Sequence, residues 1–168
     1  MTTPAEITID YLAHHPQLAD QLAMWSWTEW RSIYELRGQT FDHALKNYRE
    51  RTNTDRLPLA LVAFANQQLV GTVSLKHQDL EIRPHITPCL GGLFVVPSWR
   101  GRGVASLLMQ RAVEEAAKLK LPKLYLWTSS AEGLYLRLGW AVVERLEYHG
   151  KIIVIMDICP PQELPLPN

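Results

Sequence analysis

The chain has 168 residues, 47% of them hydrophobic and 20% charged, which is a globular balance sized for one domain and excludes a disordered chain. Lys+Arg and Asp+Glu each total 17, so the formal net charge is zero and the basic excess of a nucleic-acid binder is missing. No apolar run approaches the roughly 20 residues of a membrane span, and Cys89 and Cys159 form neither a disulfide framework nor a zinc spacing. Met1-Thr2-Thr3-Pro4-Ala5-Glu6 has no signal-peptide pattern. The expectation is a cytoplasmic chain with one domain over residues 1–159 and a proline-rich tail over 160–168. It has no membrane or nucleic-acid partner and is a monomer or homodimer.

Ile7, Ile9 and Tyr11 alternate with polar residues and predict a short first strand. Residues 18–36 follow a helical pattern in which Ala23, Trp27, Trp30 and Tyr34 share a face. A second helix is expected over 41–51. Residues 59–65 and 69–75 are apolar runs joined by Asn66-Gln67-Gln68, which predicts a hairpin. Residues 77–88 read as irregular, with Pro84 and Pro88 limiting any pairing. Leu93-Phe94-Val95-Val96 is a continuous apolar run stopped by Pro97, expected as a strand buried on both faces. Residues 104–119 predict a helix with Ala105, Leu108, Ala112, Ala116 and Leu119 inward. Arg111, Glu114, Glu115 and Lys118 are expected outward, with Glu114 and Lys118 paired at i,i+4. A strand over 124–128, a short helix over 132–138 ended by Gly139, and a hairpin turning at His149-Gly150 complete the order. This predicts an α/β fold with a mixed sheet flanked by helices, its final strand a candidate dimer edge.

The stretch Val96-Pro97-Ser98-Trp99-Arg100-Gly101-Arg102-Gly103-Val104-Ala105 carries the most chemistry. A strand ends and a helix begins through two glycines. Amides at a helix N-terminus lack internal partners and carry partial positive charge, and glycines let them approach an anion closely. Arg100 and Arg102 add charge there. The pattern suits a phosphate or pyrophosphate. A dinucleotide fingerprint would need Gly or Ala where Ser106 stands, and a Walker loop would need Gly-Lys-Ser/Thr, which is absent.

Arg100-x-x-Gly103-x-Ala105 after an apolar strand resembles the acetyl-CoA motif of the GNAT superfamily of N-acetyltransferases. Leu134-Tyr135-Leu136-Arg137-Leu138-Gly139-Trp140 resembles the same family's Tyr-x-x-x-Gly-aromatic segment. The likeness covers residues 57–158, and residues 1–56 match only in a strand and two helices. Many members carry Asn where this chain has Thr128. The resemblance implies a mostly antiparallel sheet splayed at the cofactor strand, with acetyl transfer from acetyl-CoA to a primary amine of a small molecule or peptide by direct attack. It implies cofactor contacts from Leu93, Phe94 and Val95 and from Arg100, Gly101, Arg102, Gly103, Val104, Ala105 and Ser106.

Tyr135 matches the family's general acid, since a phenol can protonate a leaving thiolate. Glu81 is the candidate base, with Asp79 and His85 nearby in the chain. Trp25, Trp27 and Trp30 in one helix fit core packing or a wall of the acceptor pocket. Trp27, Trp30 and Asp79 are the expected acceptor-binding residues. Six histidines show no ligand spacing, so no metal is expected. Two other functions remain open: a non-catalytic acetyl-CoA sensor, and a transferase of longer acyl groups.

Overall fold

The computed structural model describes residues 4–162. Its seven strands follow the hydrogen-bonded order β1-β2-β3-β4-β5-β7-β6. The chain forms two compact units. One takes residues up to 74 together with 92–109; the other takes 75–91 and the residues from 110 on. Residues 163–168, most of the expected proline-rich tail, lie outside the described residues.

The first unit begins with β1 (Ile7–Tyr11), antiparallel to β2 (Leu59–Ala65). Helix α1 (Ala19–Leu36) follows, and Trp30 leaves helical geometry (φ −116, ψ 27), so the helix kinks there. The kink interrupts the continuous face expected through Trp30, although the Trp27 and Tyr34 rings still meet, with centroids 5.5 Å apart. Helix α2 (Phe41–Glu50) starts with a capping box. Thr40 N–H donates to His43 Nδ1 at 3.0 Å, satisfying a donor that a bare helix start would orphan. Small residues Ala19, Ala23, Ala44 and Ala60 share the core with Leu12, Leu22, Tyr48 and Val62. Asn66 and Gln67, both at positive φ, turn the chain from β2 into β3 (Gln68–Lys76) as the hairpin expectation required. Gly71 sits in β3 because a Cβ there would lie 3.0 Å from Leu108 Cδ1 and 3.0 Å from the Phe94 carbonyl.

Strand β4 (Cys89–Val95) starts four residues earlier than the apolar run, and Gly91 to Phe94 are only half-buried. Gly92 at positive φ (63) bends it. The expectation of burial on both faces is thus corrected. Only one residue pair, Cys89 with Tyr125, joins β4 to β5 (Leu124–Thr128), in parallel. Pairing this short is the splay that the family resemblance implied.

Helix α3 (Val104–Lys118) has Leu108, Ala112 and Ala116 buried. Glu115 is not outward: it is 1% exposed, held by Arg111 Nε at 2.8 Å and Lys118 Nζ at 3.0 Å. Lys118 therefore serves Glu115 and not Glu114, because a buried carboxylate demands partners more strongly than an exposed one. In the second unit, helix α4 (Glu132–Arg137) ends at Gly139 (φ 92), and β6 (Ala141–Tyr148) and β7 (Lys151–Ile158) form the last hairpin. His149 and Gly150, both at positive φ, make its turn. Strand β7 lies between β5 and β6, so the outer strand is β6 and the final strand is no dimer edge.

Candidate functional site

In the first unit, Val96 N–H donates to Val70 O at 2.9 Å. Successive residues of a strand turn their polar groups to opposite edges. Val95 and Leu93 therefore point theirs away from β3, and Phe94 points its own toward β3. Arg100 agrees with this: its Nε donates to the Val95 carbonyl at 2.9 Å, and its guanidinium lies 5.6 Å from the centre of the Phe94 ring. Arg100 thus ties the loop to the strand. The Trp25 ring packs on Phe94 from α1, with centroids 5.1 Å apart.

Between strand and helix, Pro97–Trp99 makes one 3₁₀ turn. Gly101 (φ 72) and Gly103 (φ 82) then take left-handed backbone, and a Cβ on either would meet nothing within 4 Å. Conformation, not crowding, calls for glycine here. Leu107 N–H donates to Gly103 O at 3.1 Å, the first bond of α3. Val104, Ala105 and Ser106 occupy the first turn, where amides lack intrahelical acceptors. Arg102 stacks over Trp99 at 4.7 Å, so its charge stays on the loop. The loop thus combines exposed backbone, two glycines and two arginines.

Trp27 is half-buried against Tyr34 and Phe41, with Arg31 over its ring at 5.6 Å. Trp30 is half-buried at the kink of α1. Trp27 has the surroundings of a core-edge residue.

In the second unit, Tyr135 is 8% exposed, and burial pushes its phenol up from the usual range. Its hydroxyl has no hydrogen-bond partner among the described residues, so it is held protonated with its donor uncommitted. The Tyr135 carbonyl accepts from Trp140 N–H at 3.0 Å, and the two rings lie 6.4 Å apart, which fixes the side chain. Thr128 Oγ1 accepts from Ser130 N–H at 3.2 Å and Ala131 N–H at 3.0 Å. It shapes the turn into α4, a use of that position the sequence did not disclose.

Glu81 Oε1 accepts a hydrogen bond from the Tyr148 hydroxyl at 2.5 Å. Tyr148 packs on Trp127 and also orients this carboxylate across 67 residues of sequence. Asp79 is joined to Lys76 in an ion pair, and both side chains are largely buried. Arg83 grips Glu144 through Nε at 3.1 Å and Nη2 at 2.6 Å. The carboxylates of this segment are thus already held by donors of the same unit. Among the described residues no group of three or more His, Cys, Asp or Glu is placed to hold a metal, and no helix is long and apolar enough to cross a membrane.

A sequence model of the Acetyltransferase (GNAT) family matches residues 20–140. The chain belongs to that family and is an acetyltransferase. No curated protein matches it. Among solved structures it is similar to the aminoglycoside 6'-N-acetyltransferase from Enterococcus faecium, at 20% identity and a TM-score of 0.69 over 96% of this chain and 99% of that one. It is similar to yncA of Salmonella typhimurium, solved with its cofactor acetyl-CoA, at 17% identity and 0.68 over 94% and 95%. A spermidine N-acetyltransferase SpeG chimera from Vibrio cholerae and hSSAT gives 21% identity and 0.65 over 93% and 96%. At such identities the likeness is one of fold.

Proposed function

We propose that the protein moves an acetyl group from acetyl-CoA to a primary amine of a small molecule or peptide. The observation that carries this is the glycine turn opening α3 directly after a strand with outward-turned amides. Relatives of this fold named for aminoglycosides and spermidine, and one solved with acetyl-CoA, support it. The amides from Gly101 to Ser106 are assigned to the pyrophosphate. The outward polar groups of Leu93 and the N–H of Val95, whose carbonyl is taken by Arg100, are assigned to the pantetheine arm, with Phe94 beside them.

The amine attacks the thioester carbon directly. As the C–N bond forms, negative charge collects on the carbonyl oxygen, where a fixed N–H stabilises it. As the C–S bond breaks, the electron pair leaves on sulfur, and Tyr135 is assigned to give that sulfur a proton. Glu81, oriented by Tyr148, is assigned to take the proton the amine loses. At pH 7 an α-amine of pKa near 8 is about one part in ten neutral, so a modest base suffices. Trp27, Trp30 and Asp79 are assigned to the acceptor side. Tyr135→Phe tests the scheme by removing one hydroxyl. We expect kcat to fall by about 10²- to 10⁴-fold with acetyl-CoA affinity little changed. Turnover equal to the parent protein, where chemistry limits the rate, rules the assignment out.

A further inference from the structure

The interior of the first unit holds a polar cluster that the acetyl-transfer scheme does not use. Tyr48, on α2, is 0% exposed, and its hydroxyl is buried with no hydrogen-bond partner among the described residues. The Ser26 hydroxyl and Arg51 approach it without completing a bond. Burial, partly offset by the Arg51 charge, pushes this phenol up, so it remains a donor. Arg51 is 6% exposed and lies with its guanidinium 4.5 Å from the centre of the Tyr48 ring. One of its N–H groups donates, from Nη1 to Ser74 Oγ at 3.1 Å. Among the described residues it has no carboxylate partner.

This is an unusual balance. A guanidinium carries five N–H donors, and buried charges are normally paired. The carboxyl end of α2 and the Tyr48 ring make the positive charge tolerable. Neither supplies acceptors for the remaining N–H groups or for the phenol. The site is rich in donors, positive, and poor in acceptors, the chemistry that recognises a carboxylate. Its position gives it a role. A Cβ on Gly92 would lie 3.2 Å from Tyr48 Oη and 3.9 Å from Arg51 Nη1. Gly92 is the bend of β4, one residue before the Leu93–Val95 stretch assigned to the arm that ends in the thioester. A ligand group bound by Arg51 and Tyr48 therefore lies beside that strand.

We propose that Arg51 and Tyr48 form a carboxylate subsite, and that the acceptor is a carboxylate-bearing amine of the amino-acid class. The inference rests on the acetyl-transfer reading for the amine half of the ligand. It separates this chain from an enzyme for polycations, which a positive interior repels.

The experiment measures thiol release from acetyl-CoA with the twenty common amino acids and with their carboxamides. The expected result is at least one amino acid whose kcat/KM exceeds that of its carboxamide by about tenfold or more. Arg51→Met should bring that ratio close to one by raising KM for the acid alone, with KM for acetyl-CoA unmoved. Tyr48→Phe keeps the ring in the core and should narrow the ratio severalfold, so it decides the matter should Arg51→Met fail to fold. Amines acetylated with no preference for the acid in any pair overturn the subsite and leave acetyl transfer standing. So does an Arg51→Met protein that loses acid and amide alike, or a Tyr48→Phe protein with the parent's ratio. If no amine of either series releases thiol, the acetyl-transfer reading fails. Calorimetric titration of the same amino acids into the CoA-bound protein then judges the subsite: binding lost in Arg51→Met supports it, and no binding overturns it.

Discussion

Cys89 and Cys159 carry the same sulfur in opposite surroundings. Cys89 is buried, and its thiol donates to Ile86 O at 3.1 Å. Burial, with the Asp79 charge adding to it and Lys76 and a backbone bond offsetting part, pushes that thiol up to about 12. Thiolate is the reactive form, so Cys89 should be inert in the folded protein. Cys159 is exposed. Iodoacetamide at mild alkaline pH should modify Cys159 quickly and Cys89 only after unfolding, as read by peptide mass analysis; equal rates in native protein would contradict the burial of Cys89. Single residues were also where the sequence disclosed least. A charged residue reads as solvated unless its partners are known, so Glu115 and Arg51 gave no sign of burial. The Tyr148–Glu81 bond joins residues too far apart in the chain for any local pattern to reveal.

At the scale of the element, the turn into α3 fixes how its ligand can be tested. Replacing Gly103 would force a side chain into left-handed backbone, at about 1–2 kcal/mol, and confuse binding with strain. Ser106→Asp avoids this. A carboxylate in the first turn of a helix is stabilising by roughly 0.3–1 kcal/mol, yet it opposes a phosphate at the same amides. Melting curves should show a melting temperature equal to or above the parent's and no rise on adding acetyl-CoA. A rise as large as the parent's would remove the pyrophosphate from this helix end. Gly71→Ala probes packing in the same unit. Its Cβ would press on the Phe94 carbonyl and Leu108, and overpacking of this kind costs about 1–3 kcal/mol. Denaturant midpoints should fall accordingly.

Elements were legible because their ends carry distinctive residues. Asn66-Gln67 and His149-Gly150 both occur as positive-φ turns, and Gly139 ends α4 as its place in the sequence implied. Strand β4 was less legible, since Pro88, Gly91 and Gly92 mask its first half. The strand order was not legible, because local pattern fixes which segments are strands and not which strands pair; β7 between β5 and β6 had to be seen.

At the scale of the whole molecule, the two units divide the proposed work. The first carries the glycine turn, the outward edge of β4 and the Arg51 cluster; the second carries Tyr135 and Glu81. The proposed cofactor half rests on Arg100-x-x-Gly103-x-Ala105, a pattern open to sequence reading because phosphate binding needs backbone and glycine spacing records backbone. The acceptor half was less so, since any side chain with the right charge can serve it. A protein that only binds acetyl-CoA would share the first unit's features and need no protonated phenol. The decisive measurement is therefore to incubate the protein with acetyl-CoA and an amine panel, and to quantify free thiol and acetylated amine together. The two products should appear in equal amounts, with both suppressed about 10²- to 10⁴-fold in Tyr135→Phe. Tight binding of acetyl-CoA with no acetylated amine from any member of the panel would contradict acetyl transfer.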